Sequence, residues 1–357
     1  MRRREGVIAV ACAAVALLLP ATAGARTKIV YPSGPIAYQN TLQHKYGAGV
    51  NNFLLNKVTI NVGDTVAWDG AARANGFHTI DLPGKGGNDL PFTAAFPSKP
   101  VTGVNDFAGR PFWFNGQPSV GFNPTLLASS GGHNYDGSTR VDSGVPLGPP
   151  KPFKVTFTKP GVYRYFCDVH YGMVGYVVVR GKGKRVPSAA QDKAALASEE
   201  AAYAATAKKV DKTTVRGSNV SVGASGPGGV EVFAMFPTTL RVKVGTVVRF
   251  SMSKLTRETH TVTFGDTAKG GYVYNLGQTA FTSAIFDPRG AYPSDPPPGP
   301  LSLNLTSHGN GFGNLGALDR DTGTPLPPSG QIKFTQPGTY HYICLIHPFM
   351  HGTVIVR

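Results

Sequence analysis

Apolar and polar residues alternate with a period of two in matching stretches of the two halves of this chain. Lys57-Val-Thr-Ile-Asn-Val-Gly-Asp-Thr-Val-Ala-Trp68 and Leu240-Arg-Val-Lys-Val-Gly-Thr-Val-Val-Arg-Phe250 carry the same pattern around a glycine. Such alternation predicts two half-buried strands joined by a turn. Lys154-Val-Thr-Phe-Thr-Lys-Pro-Gly-Val-Tyr163 and Lys333-Phe-Thr-Gln-Pro-Gly-Thr-Tyr340 predict a further strand in each half. There Pro-Gly is expected to form the centre of a type II turn. The pattern breaks in residues 181–220. Gly181-Lys-Gly-Lys-Arg185 is a basic exit, Ser188 to Gln191 reads as a capping box, and an Ala-rich run to about Lys209 predicts a helix. Its sizeable apolar residues are Leu196 and Tyr203, as in a connecting helix resting against one domain.

The two halves end on the same phrase. Residues 163–179 and 340–356 each run Tyr-x-Tyr-x-Cys-x-x-His-x-x-Met-x-Gly-x-Val-x-Val. Internal repetition of this kind predicts two copies of one architecture. Side chains alternate along a strand, so Tyr163, Tyr165 and Cys167 share one face, as do Tyr340, Tyr342 and Cys344. Each phrase places a thiol, an imidazole and a thioether on one short loop. With a second imidazole, that is the donor set of blue-copper electron-transfer sites. Each half offers one upstream, His78 in Phe-His-Thr-Ile and His260 in Thr-His-Thr-Val.

Composition narrows the class. Gly (45 residues) and Pro (29) are abundant and charged residues make up 15%, which favours an all-β chain with long turns. The formal net charge is +15, without a Lys/Arg stripe interleaved with aromatics, so nucleic-acid binding is not expected. A basic surface favours acidic redox partners or an anionic membrane or cell-wall surface. Met1-Arg-Arg-Arg, the apolar run Val7–Leu19 and Ala23-Gly-Ala25 have the form of a signal peptide. Cleavage near Ala25 would give an exported protein, periplasmic, extracellular or at the cell surface. Cys12 lies in that run, leaving Cys167 and Cys344, one per half, which is not a disulfide framework.

These residues resemble the cupredoxins, the plastocyanin/azurin group, with ligand loops similar to those of amicyanin. The resemblance covers about 40–60 and 151–180 in one half, and 237–264 and 331–357 in the other. It implies two Greek-key β-sandwiches at 26–180 and 221–357, joined by the helical linker 181–220, with long loop inserts. It further implies two type 1 copper ions, one held by His78, Cys167, His170 and Met173, the other by His260, Cys344, His347 and Met350. Each loop histidine would be an exposed electron port among apolar neighbours such as Tyr171, Pro348 and Phe349. Two departures stand out. Thr79 and Thr261 occupy positions where the family often has Asn, and Val169 and Ile346 replace a Pro before the loop histidine.

The intervals from His78 to Cys167 and from His260 to Cys344 contain Gly/Pro/Asn-rich inserts, Gly103–Pro150 and Gly265–Ser329. They are expected to be ordered excursions covering one end or side of each sandwich. His133 and His308 lie in these inserts as possible extra ligands or lid residues. His44, His341 and His351 read as surface groups. The expected function is electron transfer without substrate chemistry. The alternatives are a two-domain copper oxidoreductase, of the nitrite reductase or multicopper oxidase kind, and copper storage or delivery. An oxidase normally adds a catalytic copper bound partly by a histidine just before the blue-copper cysteine. Phe166 and Ile343 stand there, and no His-x-His pair occurs. No Met-rich or His-rich tract supports storage.

Overall fold

The computed structural model describes residues 24–70, 76–145, 151–324 and 326–357. The leader read from residues 1–25 falls almost wholly outside them.

Two β-sandwiches share one strand order. In the first, one sheet runs 53–54, 27–32, 65–68, 153–157, 134–135, and the facing sheet 141–142, 81–82, 161–166, 174–180, 57–61. In the second, the corresponding orders are 230–236, 219–226, 247–252, 329–334, 301–303 and 313–318, 260–264, 338–343, 351–356, 239–242. The mixed character repeats as well. Lys57–Asn61 lies parallel to Val174–Arg180, and Thr239–Val242 parallel to His351–Val356. Inward residues of the two faces fill each core. Trp68, Phe157, Tyr165 and Val177 anchor one, and Phe250, Phe264, Phe334 and Tyr342 the other. The alternating faces expected around Cys167 and Cys344 are present, with both cysteines inside these cores.

The glycine two residues after each methionine has a packing reason. Gly175 pairs with Tyr165 and Gly352 with Tyr342. A Cβ on Gly175 would lie 2.2 Å from the Tyr165 ring, and one on Gly352 2.3 Å from the Tyr342 ring. The Pro-Gly expectation is corrected. A type II turn needs positive φ at the glycine, but Gly161 and Gly338 are not among the positive-φ residues and instead open strands. Close packing explains Gly161, whose Cβ would lie 3.0 Å from Tyr163.

The linker helix spans Ala189–Val210 and starts with the expected Ser188/Gln191 capping box. It rests on both halves. Lys28 pairs with Asp192, the Leu55 amide donates to Glu199 at 2.7 Å, and Ala207 and Val210 join a cluster with Val230 and Val232. Strand Ala48–Val50, from the first half, adds itself to the edge of the second sandwich beside Val230–Phe236. The inserts are ordered where described, and they interlock. Val101, Phe112 and Phe114 pack with Val273, Leu276 and Phe312 and with Ile343 and Leu345 beside the second cysteine. The halves are thus joined by a shared sheet edge, a shared helix and a shared apolar cluster.

Candidate metal centres

The strand Gly161–Phe166 delivers Cys167, and the loop that follows folds back at once. Cys167 N–H donates to the Met173 carbonyl at 3.0 Å, and Met173 N–H to the His170 carbonyl at 2.9 Å. The second half repeats both bonds, Cys344 to Met350 at 3.0 Å and Met350 to His347 at 2.8 Å. Two backbone bonds therefore close the seven-residue loop from cysteine to methionine, which holds cysteine, histidine and methionine close together. Met173 and Met350 are both fully buried.

The upstream histidines complete the two groups. Cys167 Sγ lies 3.6 Å from His78 Nδ1 and 3.4 Å from His170 Nδ1. Cys344 Sγ lies 3.7 Å from both His260 Nδ1 and His347 Nδ1, with the two Nδ1 atoms 3.2 Å apart. Metal–nitrogen bonds of about 2.0 Å and a metal–sulfur bond of about 2.3 Å, at trigonal angles, require nitrogen–sulfur edges of about 3.7 Å. The residues present fit a copper ion with a Cys/His/His plane and a methionine nearby. The structure brings His78, Cys167 and His170 together, and likewise His260, Cys344 and His347, each trio with its donor atoms within 4.8 Å, while Met173 and Met350 are buried in the same cores as the cysteines.

The threonines show how the departure from Asn is accommodated. Thr261 donates its backbone N–H to Cys344 Sγ at 3.3 Å. Its hydroxyl accepts from Leu345 N–H at 2.7 Å, as the Thr79 hydroxyl accepts from Asp168 N–H at 2.8 Å. The hydroxyl thus ties the histidine strand to the residue after the cysteine in both halves. Burial raises the Cys344 thiol, but hydrogen bonds from His260 and His347 outweigh it and bring it well below the usual thiol range. At His78, burial and the neighbouring His170 push the imidazole well below its ordinary value, leaving it neutral and ready to ligate.

Each imidazole also has a partner behind it, an arrangement that orients metal-binding histidines. His78 Nε2 meets Ser33 Oγ at 2.6 Å. His260 Nε2 lies 3.6 Å from the buried Glu231 carboxylate. The two loop histidines share a third partner. Glu258 Oε1 is 3.3 Å from His170 Nε2, and Glu258 Oε2 is 3.7 Å from His347 Nε2. Asn51, at the end of the added edge strand, donates to Glu258 Oε1 at 2.6 Å. Burial opposes ionisation of Glu258, but His170 and then His347 hold its carboxyl well below the usual range. Burial likewise lowers His170, yet Glu258 and the Cys167 sulfur drive it up to about 10.

This arrangement overturns the exposed-port expectation. His170 is 2% exposed and the His347 side chain 14%, because the two loops face each other across Glu258 instead of facing solvent. Phe233, 5.0 Å from His347, covers the second site further. Of the apolar neighbours, Tyr171 (40%) and Phe349 (55%) do reach the surface. A cavity of about 130 Å³ lies beside the bridge, walled by Phe77, Phe92, Phe122, Phe281 and Phe286. Neither flagged insert histidine joins the sites. His133 is exposed and bonds the Lys154 carbonyl at 2.9 Å. His308 lies between Asp106 (3.6 Å) and Asp295 (3.3 Å). His44, His341 and His351 are exposed. Glu258 and Glu231 were missed by sequence reading. Glu258 sits two residues before His260, but Gly76 stands at the same place in the first half, so the repeat gave no signal.

Strand order and paired donor sets resemble those of the cupredoxins. The family model for copper-binding proteins of the plastocyanin/azurin family matches residues 127–180. Amicyanin-alpha from Methylorubrum extorquens is 46% identical over 43 residues, covering 11% of this chain and 36% of that protein, so the chain matches only about a third of its length. Among solved structures, oxidised plastocyanin from Dryopteris crassirhizoma aligns at 21% identity, over 39% of this chain and 99% of that one, with a TM-score of 0.21. A purple cupredoxin from Nitrosopumilus maritimus aligns at 16% identity, over 39% of this chain and 98% of its own, with a TM-score of 0.19.

Proposed function

We propose that this chain is an exported electron carrier with two type 1 copper sites that work as a connected pair. The observation that carries the reading is the link His170–Glu258–His347, which joins two equivalent Cys/His/His/Met groups inside one molecule. When bound, copper supplies a one-electron couple. The protein supplies a thiolate, two imidazoles and a buried thioether in a fixed loop, so both oxidation states meet nearly the same surroundings. Burial of the facing histidines favours exchange between the two sites over direct contact of either histidine with a partner. A partner would dock beside the first loop, where exposed Tyr171 borders a groove lined by Lys254, Leu255 and Arg320. That groove suits an acidic redox protein.

The oxidoreductase alternative is weakened by the spare histidines, which the fold scatters away from both sites. The test is to load the full chain with copper, reduce it anaerobically and offer acceptors separately. A carrier is reoxidised rapidly by a one-electron acceptor such as ferricyanide and turns over neither nitrite nor oxygen. Sustained turnover of either would replace this reading with the enzymatic one.

A further inference from the structure

The first sandwich contains three buried carboxylates that its twin does not. Asp81, Asp142 and Asp168 are 0%, 1% and 4% exposed, and one oxygen of each lies within 4.8 Å of the others. Asp81 pairs with Phe166 on one side and with Asp142 on the other. In the second sandwich Thr263 takes that place, pairing with Ile343 and with Asn314. Leu345 follows Cys344 as Asp168 follows Cys167. The same three positions are therefore Asp/Asp/Asp in one copy and Thr/Asn/Leu in the other.

The twin shows what a self-sufficient version looks like. Thr263 Oγ1 donates to Asn314 Oδ1 at 2.8 Å, and Asn314 Nδ2 donates to the Arg289, Gly290 and Tyr292 carbonyls. That network is neutral. In the first copy, Arg140 pairs with Asp81 Oδ2, Gly144 N–H donates to Asp142 Oδ1, and Leu90 N–H and the Thr79 hydroxyl donate to Asp168. Asp81 Oδ1 and Asp142 Oδ2 are left buried without any hydrogen-bond partner. Three carboxyl groups share one guanidinium, so beyond the first each can ionise only at the cost of an uncompensated buried charge.

We propose that Asp81, Asp142 and Asp168 bind one divalent cation of the calcium class, behind the first copper site. The donors are all hard oxygens, which select calcium over copper or zinc. Calcium–oxygen bonds of about 2.3–2.6 Å allow ligand oxygens to stand up to about 5 Å apart, matching the observed spread. A charge of +2 balances the deficit, and the two orphan oxygens gain a partner. The ion would also stiffen the first copper site alone. Asp168 directly follows Cys167, and its carboxylate receives the hydroxyl of Thr79, the neighbour of His78. The inference stands whether or not the chain carries electrons.

The experiment is calorimetric titration of calcium chloride into the full chain after chelator treatment, with thermal melts in parallel. The wild type should take up one calcium per chain with a dissociation constant below about 1 mM and melt at higher temperature when loaded. Asp142→Asn should weaken binding by at least about tenfold. The triple variant Asp81→Thr, Asp142→Asn, Asp168→Leu installs the second sandwich's set. It should fold and show neither calcium heat nor a calcium-dependent melt. Absence of heat and of any melting shift in the wild type would overturn the proposal, and so would undiminished calcium binding by the triple variant.

Discussion

Replacing Glu258 by Gln tests the link between the two centres, because it removes the charge while keeping the shape. The Gln carbonyl can still accept from Asn51 Nδ2, so the contact at 2.6 Å has a replacement. What changes is the field at His170 and His347. At an effective dielectric of about 20, a unit charge 3.3 Å away interacts by about 5.0 kcal/mol, and one 3.7 Å away by about 4.5 kcal/mol. Only part of the charge gained on oxidation reaches the far ring nitrogen. Taking a quarter of it leaves about 1.2 kcal/mol per site, or about 50 mV for a one-electron couple. The carboxylate favours the more positive, oxidised state, so its loss should raise both potentials. The two interactions differ by about a tenth, so the rises should be nearly equal. Spectroelectrochemical titration of the thiolate charge-transfer band, with Cys167→Ser or Cys344→Ser in the background to isolate each site, reads this directly. A shift at one site alone, a fall, or no movement at either would refute the bridge.

Further outcomes follow from the same geometry. Glu231→Gln should raise the potential of the second site and leave the first unchanged, since the carboxylate stands behind His260 while Ser33 stands behind His78. Gly175→Ala and Gly352→Ala should each destabilise by about 1–3 kcal/mol in urea unfolding, because the new methyl meets a buried tyrosine ring. Gly181→Ala, with open space around it, is the neutral control. In chelator, stability should fall as pH rises from about 4 to 8. Burial, then the charges of Asp168 and Asp142 against the opposing Arg140, push the Asp81 carboxyl up to about 8, so the folded chain holds a proton that the unfolded chain has lost. Each pH unit in that window costs up to about 1.4 kcal/mol, and chemical denaturation across it would show the slope or its absence.

What could be read in the sequence was local or repeated. The Tyr-x-Tyr-x-Cys-x-x-His-x-x-Met phrase exposes its donors because strand alternation and a tight loop convert spacing directly into position. The histidines 78 and 260 were legible because each follows a strand pair at the same offset. The unread features depend on pairings between distant segments. Glu258 meets His170 only because the two sandwiches face each other, and no periodicity within either half encodes that. Burial of the loop histidines follows from the same approach. The helix Ala189–Val210 was foreseen from its capping box and alanines, but its contact with both halves, like the crossing of strand Ala48–Val50 to the second sheet, is a pairing between distant segments. Pro-Gly misled because the dipeptide suits a type II turn by propensity, while the Tyr163 ring beside Gly161 gives the glycine another reason.

The central claim is that the two constellations are two separate copper centres. Its most direct test is the visible spectrum and copper-to-protein ratio of the oxidised, copper-loaded chain, measured beside Cys167→Ser and Cys344→Ser. The account predicts two coppers per chain, intense thiolate-to-copper absorption, and the loss of one coloured copper in each variant. Full colour retained by either variant, or no charge-transfer band in the wild type, would contradict it.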